Sequence, residues 1–143
     1  MHQQVRTRVT TTDGPGAMNA DNGGIVDVFR VLRDGGFNLQ MAGGHDLDGG
    51  GEVVFAVYHD DEDDGPNREA AQLLRRHGYP ARVVRAHYCD VANEPGGLLG
   101  CLERIQKEDG PIAEIYVGVG DDKNVPIQIT TRAALDEASK EAI

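Results

Sequence analysis

The chain contains no tryptophan, and aromatic residues make up only 5% of it. A core must therefore be aliphatic, built from Val, Ile, Leu and Ala with Phe29, Phe37 and Phe55 as its few large pieces. Basic residues are scarce: 14 Lys and Arg stand against 24 Asp and Glu, a formal net charge of −10. A protein that grips a phosphate backbone needs a basic stripe, and none is present, so no nucleic-acid partner is expected. No apolar run approaches the ~20 residues that cross a bilayer, and residues 1–6 lack the apolar core of a signal peptide. The expectation is a cytoplasmic protein with no membrane partner. Two cysteines, Cys89 and Cys101, are too few for a disulfide framework. Cys101 falls on the apolar side of a helical pattern, so both are read as reduced, packed thiols.

Catalytic signatures are also missing. There is no nucleophile elbow, no phosphate loop and no zinc-type spacing. The acid run Asp60-Asp61-Glu62-Asp63-Asp64 lacks the alternating oxygen ligands and terminal Glu of a calcium loop, and is read as solvated. Among the five histidines, His45 and His59 flank one hairpin and are the candidates for metal or acid–base use, with Asp46 or Asp60 nearby. Residues adjacent on a strand point to opposite faces, so His45-Asp46, His59-Asp60 and the His87-Tyr88-Cys89-Asp90 run are not sites by themselves. No metal and no cofactor are expected.

Glycine, by contrast, is abundant at 19 residues, and two glycine pairs organise the chain. Asn93-Glu94-Pro95-Gly96-Gly97 leads into apolar residues 98, 99, 101, 102 and 105, the spacing of one buried helix face. Asn22-Gly23-Gly24 leads into apolar residues 25, 26, 28, 29 and 32. Every one of these positions differs by 73 residues from its counterpart, as Ile25 does from Leu98. That is an internal repeat.

Read in order, residues 5–12 are a β-branched strand, and Asp13-Gly14-Pro15-Gly16 is turn chemistry. A helix spans 24–33, a strand 38–47, and the clearest strand of the chain 52–58, with a glycine hairpin between the strands. Residues 67–77 form a second helix capped by Gly78. The segment 81–92 is long for one strand, and is read as closing one unit and opening the next. The second pattern then gives a helix ending at Gly110, strands at 112–119 and 125–130, and a helix from Thr131, its cap. Pro126 indicates an edge or a bulge in its strand. The fold class is therefore α+β: two ferredoxin-like βαββαβ units in tandem, residues 1–84 and 85–143, with antiparallel sheets and helices on one face. The second unit lacks a last strand, so either its edge is bare or 81–92 serves both units.

Asn93-Glu94-Pro95-Gly96 at a strand–helix turn, with Gly36-Phe37-Asn38-Leu39 at the start of a second strand, resembles the signature of ACT domains, small ligand-binding modules of amino-acid metabolism. The resemblance spans nearly the whole chain as a tandem pair. It departs from the pattern at Ala20 and Asn22 in the first unit and at Pro111 in the second. It implies a non-catalytic regulatory protein that binds a small amino acid at the interface between units and forms a homodimer. A metabolic enzyme is the implied partner. Two alternatives stay open: a regulatory subunit of an amino-acid biosynthetic enzyme, or a small ferredoxin-like enzyme using His45 and His59.

The chemistry of such a site is simple. A helix start offers unpaired N–H groups and a positive dipole end to a carboxylate. Gly23, Gly24, Gly96 and Gly97 clear its path. Asn38 and Asn93 offer acceptors to the ammonium without placing a full charge in the site, Ile25 and Leu98 meet the ligand's side chain, and Asn22, Leu39 and Glu94 are ligand-binding candidates beside them. Taken singly, a glycine pair is a tight turn and an asparagine a turn former. Two such constellations at one fixed offset carry the reading.

Overall fold

A computed structural model describes residues 2–9, 24–47, 50–58 and 65–140. These hold six strands and four helices in two compact units. One unit comprises Gln4–Val83; the other comprises Val84–Ala142 together with Met1–Gln3.

The first unit uses β1 (His2–Val9), α1 (Ile25–Asp34), β2 (Leu39–Leu47), β3 (Gly50–Val57), α2 (Gly65–Arg76) and the start of β4 (Arg82–Ala92). Its strand order is β2-β3-β1-β4, the ferredoxin-like order, with β1 and β2 both antiparallel to β3. Val5 stands opposite Phe55 and Thr7 opposite Val53, so one sheet face is apolar and meets the helices. There Val5, Val53, Phe55 and Val57 pack with Val28, Val31 and Leu32 of α1 and Ala70, Ala71 and Leu74 of α2. The alternate residues of β1 point the other way, where Arg6 pairs with Glu52, its diagonal neighbour on β3. Both helices stop on a left-handed glycine: Phe37 N donates to Leu32 O past Gly36, and Tyr79 N to Leu74 O past Gly78.

The second unit contains the rest of β4, α3 (Gly97–Asp109), β5 (Ile112–Val117), β6 (Asn124–Thr131) and α4 (Arg132–Lys140). Its strand order is β1-β4-β6-β5. The last-strand position that the sequence leaves unfilled is taken by the start of β1, where His2 stacks on Tyr88 at 4.7 Å. Cys89, Cys101, Ile105, Ile127 and Ile129 form the core beneath α3. Thr131 caps α4, accepting a hydrogen bond from Ala134 N at 3.2 Å.

The two halves match at the positions that define the repeat. At the 73-residue offset, Val28 and Leu32 are buried as Cys101 and Ile105 are, and Val26 and Leu99 are both exposed, at 63% and 58%. A register shift falls between Leu39 and Met41 in β2 and between Ile112 and Glu114 in β5, the same place in each repeat.

Two expectations are corrected. Cys89 and Cys101 are not free thiols but a disulfide with Cα atoms 6.7 Å apart. Their separation of 12 residues spans one strand–turn–helix corner and returns the helix over the strand, which brings the side chains together. Pro126 lies on neither an edge nor a bulge: β6 is flanked by β4 and β5, with Pro126 opposite Asp90 in an unbroken register. Its carbonyl accepts from Gly118 N at 2.8 Å, and its nitrogen points to that same side, just beyond the end of β5 at Val117. The missing N–H therefore forgoes only the reciprocal bond to Gly118, at the point where β5 ends. Several ends also differ: β1 starts at His2 rather than Val5, and β5 ends at Val117 rather than Val119. The acid run and the loop of residues 13–22 lie outside the described residues.

Candidate functional site

The corner between β4 and α3 is built by close backbone packing. Glu94 N donates to Ala92 O at 2.9 Å and Gly97 N to Glu94 O at 3.1 Å. Gly96 has φ +82°, a conformation that favours glycine. A Cβ on Gly97 would stand 2.3 Å from Ala92 O, so this position admits no side chain. Asn93 is tied to the β5–β6 hairpin: its N donates to Lys123 O at 2.8 Å and its Nδ2 to Asp121 O at 3.3 Å. The Asp121 carboxylate accepts from Asn124 N and Lys123 N, which closes that hairpin and, chiefly through Asn124, holds its carboxyl below the ordinary range.

The helix mouth that results is open to solvent along Asn93, Glu94, Pro95 and Gly96, with Gly97 and Leu98 half-buried. Gly100 N reaches Gly96 O, but the N–H groups of Leu98 and Leu99 find no backbone acceptor among the described residues. No acidic residue lies in the first turn of α3, so the positive end of the helix is not offset within the helix itself.

The matching mouth of α1 differs. Asn22 and Gly23 lie outside the described residues; Gly24 is buried and extended, and Ile25 is half-buried. Asp27 occupies the first turn, receives a hydrogen bond from the Tyr79 hydroxyl and pairs with Arg30 at 3.5 Å. Burial, then the Asp27 hydrogen bond, pushes the Tyr79 phenol above its ordinary pKa. An acid already seated at this helix start competes with an incoming carboxylate. The first turn of α3 carries no such acid.

Asn38 is exposed before β2, its carbonyl accepting from Tyr58 N at 2.7 Å, and Leu39 is half-buried. In the second unit the corresponding residue is Pro111, whose carbonyl accepts from Arg132 N at 2.9 Å. Within one unit, a helix mouth and the start of the following strand stand at opposite ends of the helix. For the ten residues of α1 that is roughly 15 Å. Gly24 and Asn38 are therefore not brought together inside the first unit, and Asn93 belongs to the second.

His45 is exposed on β2 opposite Glu52, and His59 lies outside the described residues. Among the described residues no three His, Cys, Asp or Glu side chains group to hold a metal ion. No described helix is long and apolar enough to cross a membrane.

One polar cluster escaped the sequence reading. Asp109, the last residue of α3, accepts from Arg85 Nη1 at 2.8 Å, from Thr131 Oγ1 at 2.7 Å and from His87 Nε2 at 3.1 Å. Chiefly the Arg85 hydrogen bond, then that of Thr131, holds its carboxyl far below the ordinary range. The cluster pins the far end of α3 to β4 and to the start of α4. Its members come from separate elements, and only the alternation of Arg85 and His87 on one strand hinted at it.

The sequence matches no family model and no curated protein. The fold is similar to that of protein BT0572 from Bacteroides thetaiotaomicron, with TM-score 0.69 over 97% of this chain and 84% of that one, at 15% identity. It is also similar to the ligand-free regulatory subunit of aspartate kinase from Thermus thermophilus, with TM-score 0.57 over 96% of this chain and 89% of that one, at 16% identity. The chain thus has the ferredoxin-like architecture that the resemblance implies.

Proposed function

We propose that the chain is a non-catalytic regulatory protein that binds a free amino acid at the mouth of α3. The carboxylate sits on the Leu98 and Leu99 N–H groups, over a floor kept bare by Gly96 and Gly97. The ammonium is held by the Asn93 side-chain oxygen and the Glu94 carboxylate. Asn38 and Leu39 complete the site from a neighbouring unit or a second copy of the chain, since the start of a second strand and a helix mouth within one unit are a helix length apart. The observation that carries this reading is the α3 mouth itself: two amides with no backbone acceptor among the described residues and no acidic residue in the helix's first turn, with Gly97 packed on Ala92 O.

The likeness of the fold to a regulatory subunit of aspartate kinase favours one variant, in which the bound amino acid alters the chain's grip on a metabolic enzyme. The protein would act in the cytoplasm as a homodimer. A thermal-shift screen of the common amino acids tests the proposal: one or a few raise the melting temperature. Asn93→Ala and Asn38→Ala abolish that rise, while His45→Ala retains it. A flat screen, or a rise that survives Asn93→Ala, rejects the site.

A further inference from the structure

The disulfide brackets the proposed site. Cys89 lies on β4 three residues before its end, and Cys101 is the fifth residue of α3, so the bond encloses the whole mouth. Three observations set this bridge apart from an ordinary staple.

First, α3 leans on it more than its counterpart leans on anything covalent. The ten residues of α1 bury Val28, Val31 and Leu32, whereas the 13 residues of α3 bury only Cys101 and Ile105. Second, Arg104 stands where the first repeat has the core residue Val31, and its Nη2 lies 3.1 Å from Cys89 Sγ. A guanidinium there stabilises Cys89 as a thiolate once the bond is broken. Third, the sulfurs are shielded between β4 and α3, with Cys89 6% and Cys101 7% exposed, so a reductant reaches them only when α3 lifts from the strand.

We propose that the Cys89–Cys101 bond is a redox control on ligand binding at the α3 mouth, an inference that rests on the binding reading above. The oxidised chain holds β4 and α3 in the arrangement that shapes the mouth for its ligand, and a dithiol reductant loosens it. One thiolate of the reductant attacks Cys101 Sγ; the S–S bond breaks, and Cys89 leaves as a thiolate beside Arg104. The reductant's second thiolate then attacks its own sulfur in the mixed disulfide, closing the reductant's disulfide and expelling Cys101, which takes a proton. Two electrons pass from the reductant to the protein, and the protons come from the reductant's thiols. Because coupling is reciprocal, a ligand that favours the bonded arrangement of the mouth also makes the bond harder to reduce.

The test uses the full chain, oxidised and after dithiothreitol, with an equimolar mixture of the nineteen standard amino acids other than cysteine as probe. Its two readouts are apparent affinity and amide hydrogen exchange at residues 98–101. Reduction is expected to weaken binding about tenfold and to speed exchange at the mouth by a similar factor, with α1 unchanged. The Cys89→Ser, Cys101→Ser double variant behaves as the reduced chain and ignores dithiothreitol; should it not fold, reduction of the unaltered chain still decides. Equal affinity in both forms, or unchanged exchange at the mouth, overturns the proposal. If neither form binds, the binding reading falls, and the exchange comparison alone then supports or overturns redox control of the mouth.

Discussion

Arg85 and Asp109 meet at 2.8 Å, Nη1 to Oδ2, and through that contact β4 holds the last residue of α3. Arg85 Nε turns the other way to Glu137 of α4 at 2.7 Å, so a single guanidinium fastens both helices of the second unit to one strand. Both Arg85 and Asp109 are largely shielded, which makes the contact worth more than an exposed pair. Asp109→Asn keeps the shape and removes the charge; it is expected to cost about 2 kcal/mol in urea unfolding at neutral pH. The Asp109 carboxyl is depressed in the folded chain, so its contribution is present above the unfolded value near 4 and declines as pH falls below it. The gap between the two proteins therefore narrows on acidification. A gap that holds constant from neutral pH to well below 4 would show the carboxylate is not the source.

Tyr79 gives the opposite sign. Its phenol is buried and donates to Asp27, and its pKa is raised. The folded chain thus keeps a proton that the unfolded chain loses near pH 10, and stability falls as pH rises beyond that point. Tyr79→Phe is expected to cost about 1 kcal/mol at neutral pH and to flatten this alkaline decline. Denaturant midpoints compared at neutral pH and above pH 10 check both.

The duplication was legible because it lives in periodicity. Helical spacing at 25–32 and 98–105 places Val28 and Leu32, and Cys101 and Ile105, in the core of their units, while Val26 and Leu99, read on the same buried face, are exposed in both repeats. The corner chemistry of Gly96 and Gly97 was legible for a similar reason, since only local backbone geometry is involved. The disulfide was not. A count of two cysteines carries no information about a helix folding back over a strand. Asp109 was also invisible, because its partners Arg85, His87 and Thr131 reach it from positions at least 22 residues away. Pro126 misled for a subtler reason: the cost of proline in a strand depends on which side its missing N–H faces, and that is set by where the neighbouring strand ends.

Two glycines of α3 separate site from scaffold. At Gly97 an added Cβ meets the Ala92 carbonyl at 2.3 Å, and backbone cannot swing aside as a side-chain tip does. Gly97→Ala is expected to cost about 2 kcal/mol and to abolish any amino-acid response in the thermal-shift screen. At Gly100, one turn along the same helix, a Cβ meets nothing within 4 Å. Gly100→Ala should instead add about 0.5–1 kcal/mol by stiffening the unfolded chain, and should leave the response intact. Equal effects of the two substitutions would mean that the corner is not packed as described.

The covalent bond itself carries the last expectation. A loop closed over 12 residues removes enough freedom from the unfolded chain to stabilise the fold by about 3 kcal/mol. That gain falls on the second unit, whose core beneath α3 is the smaller cluster, while the packing of Val28, Val31 and Leu32 in the first owes nothing to it. Reduction with dithiothreitol, or the pair Cys89→Ala and Cys101→Ala, should therefore lower the urea midpoint and strip hydrogen-exchange protection from α3 before α1. If reduction leaves both the midpoint and α3 unchanged, the bond is not formed in the native protein, and α3 is held by its apolar face and the Asp109 cluster alone.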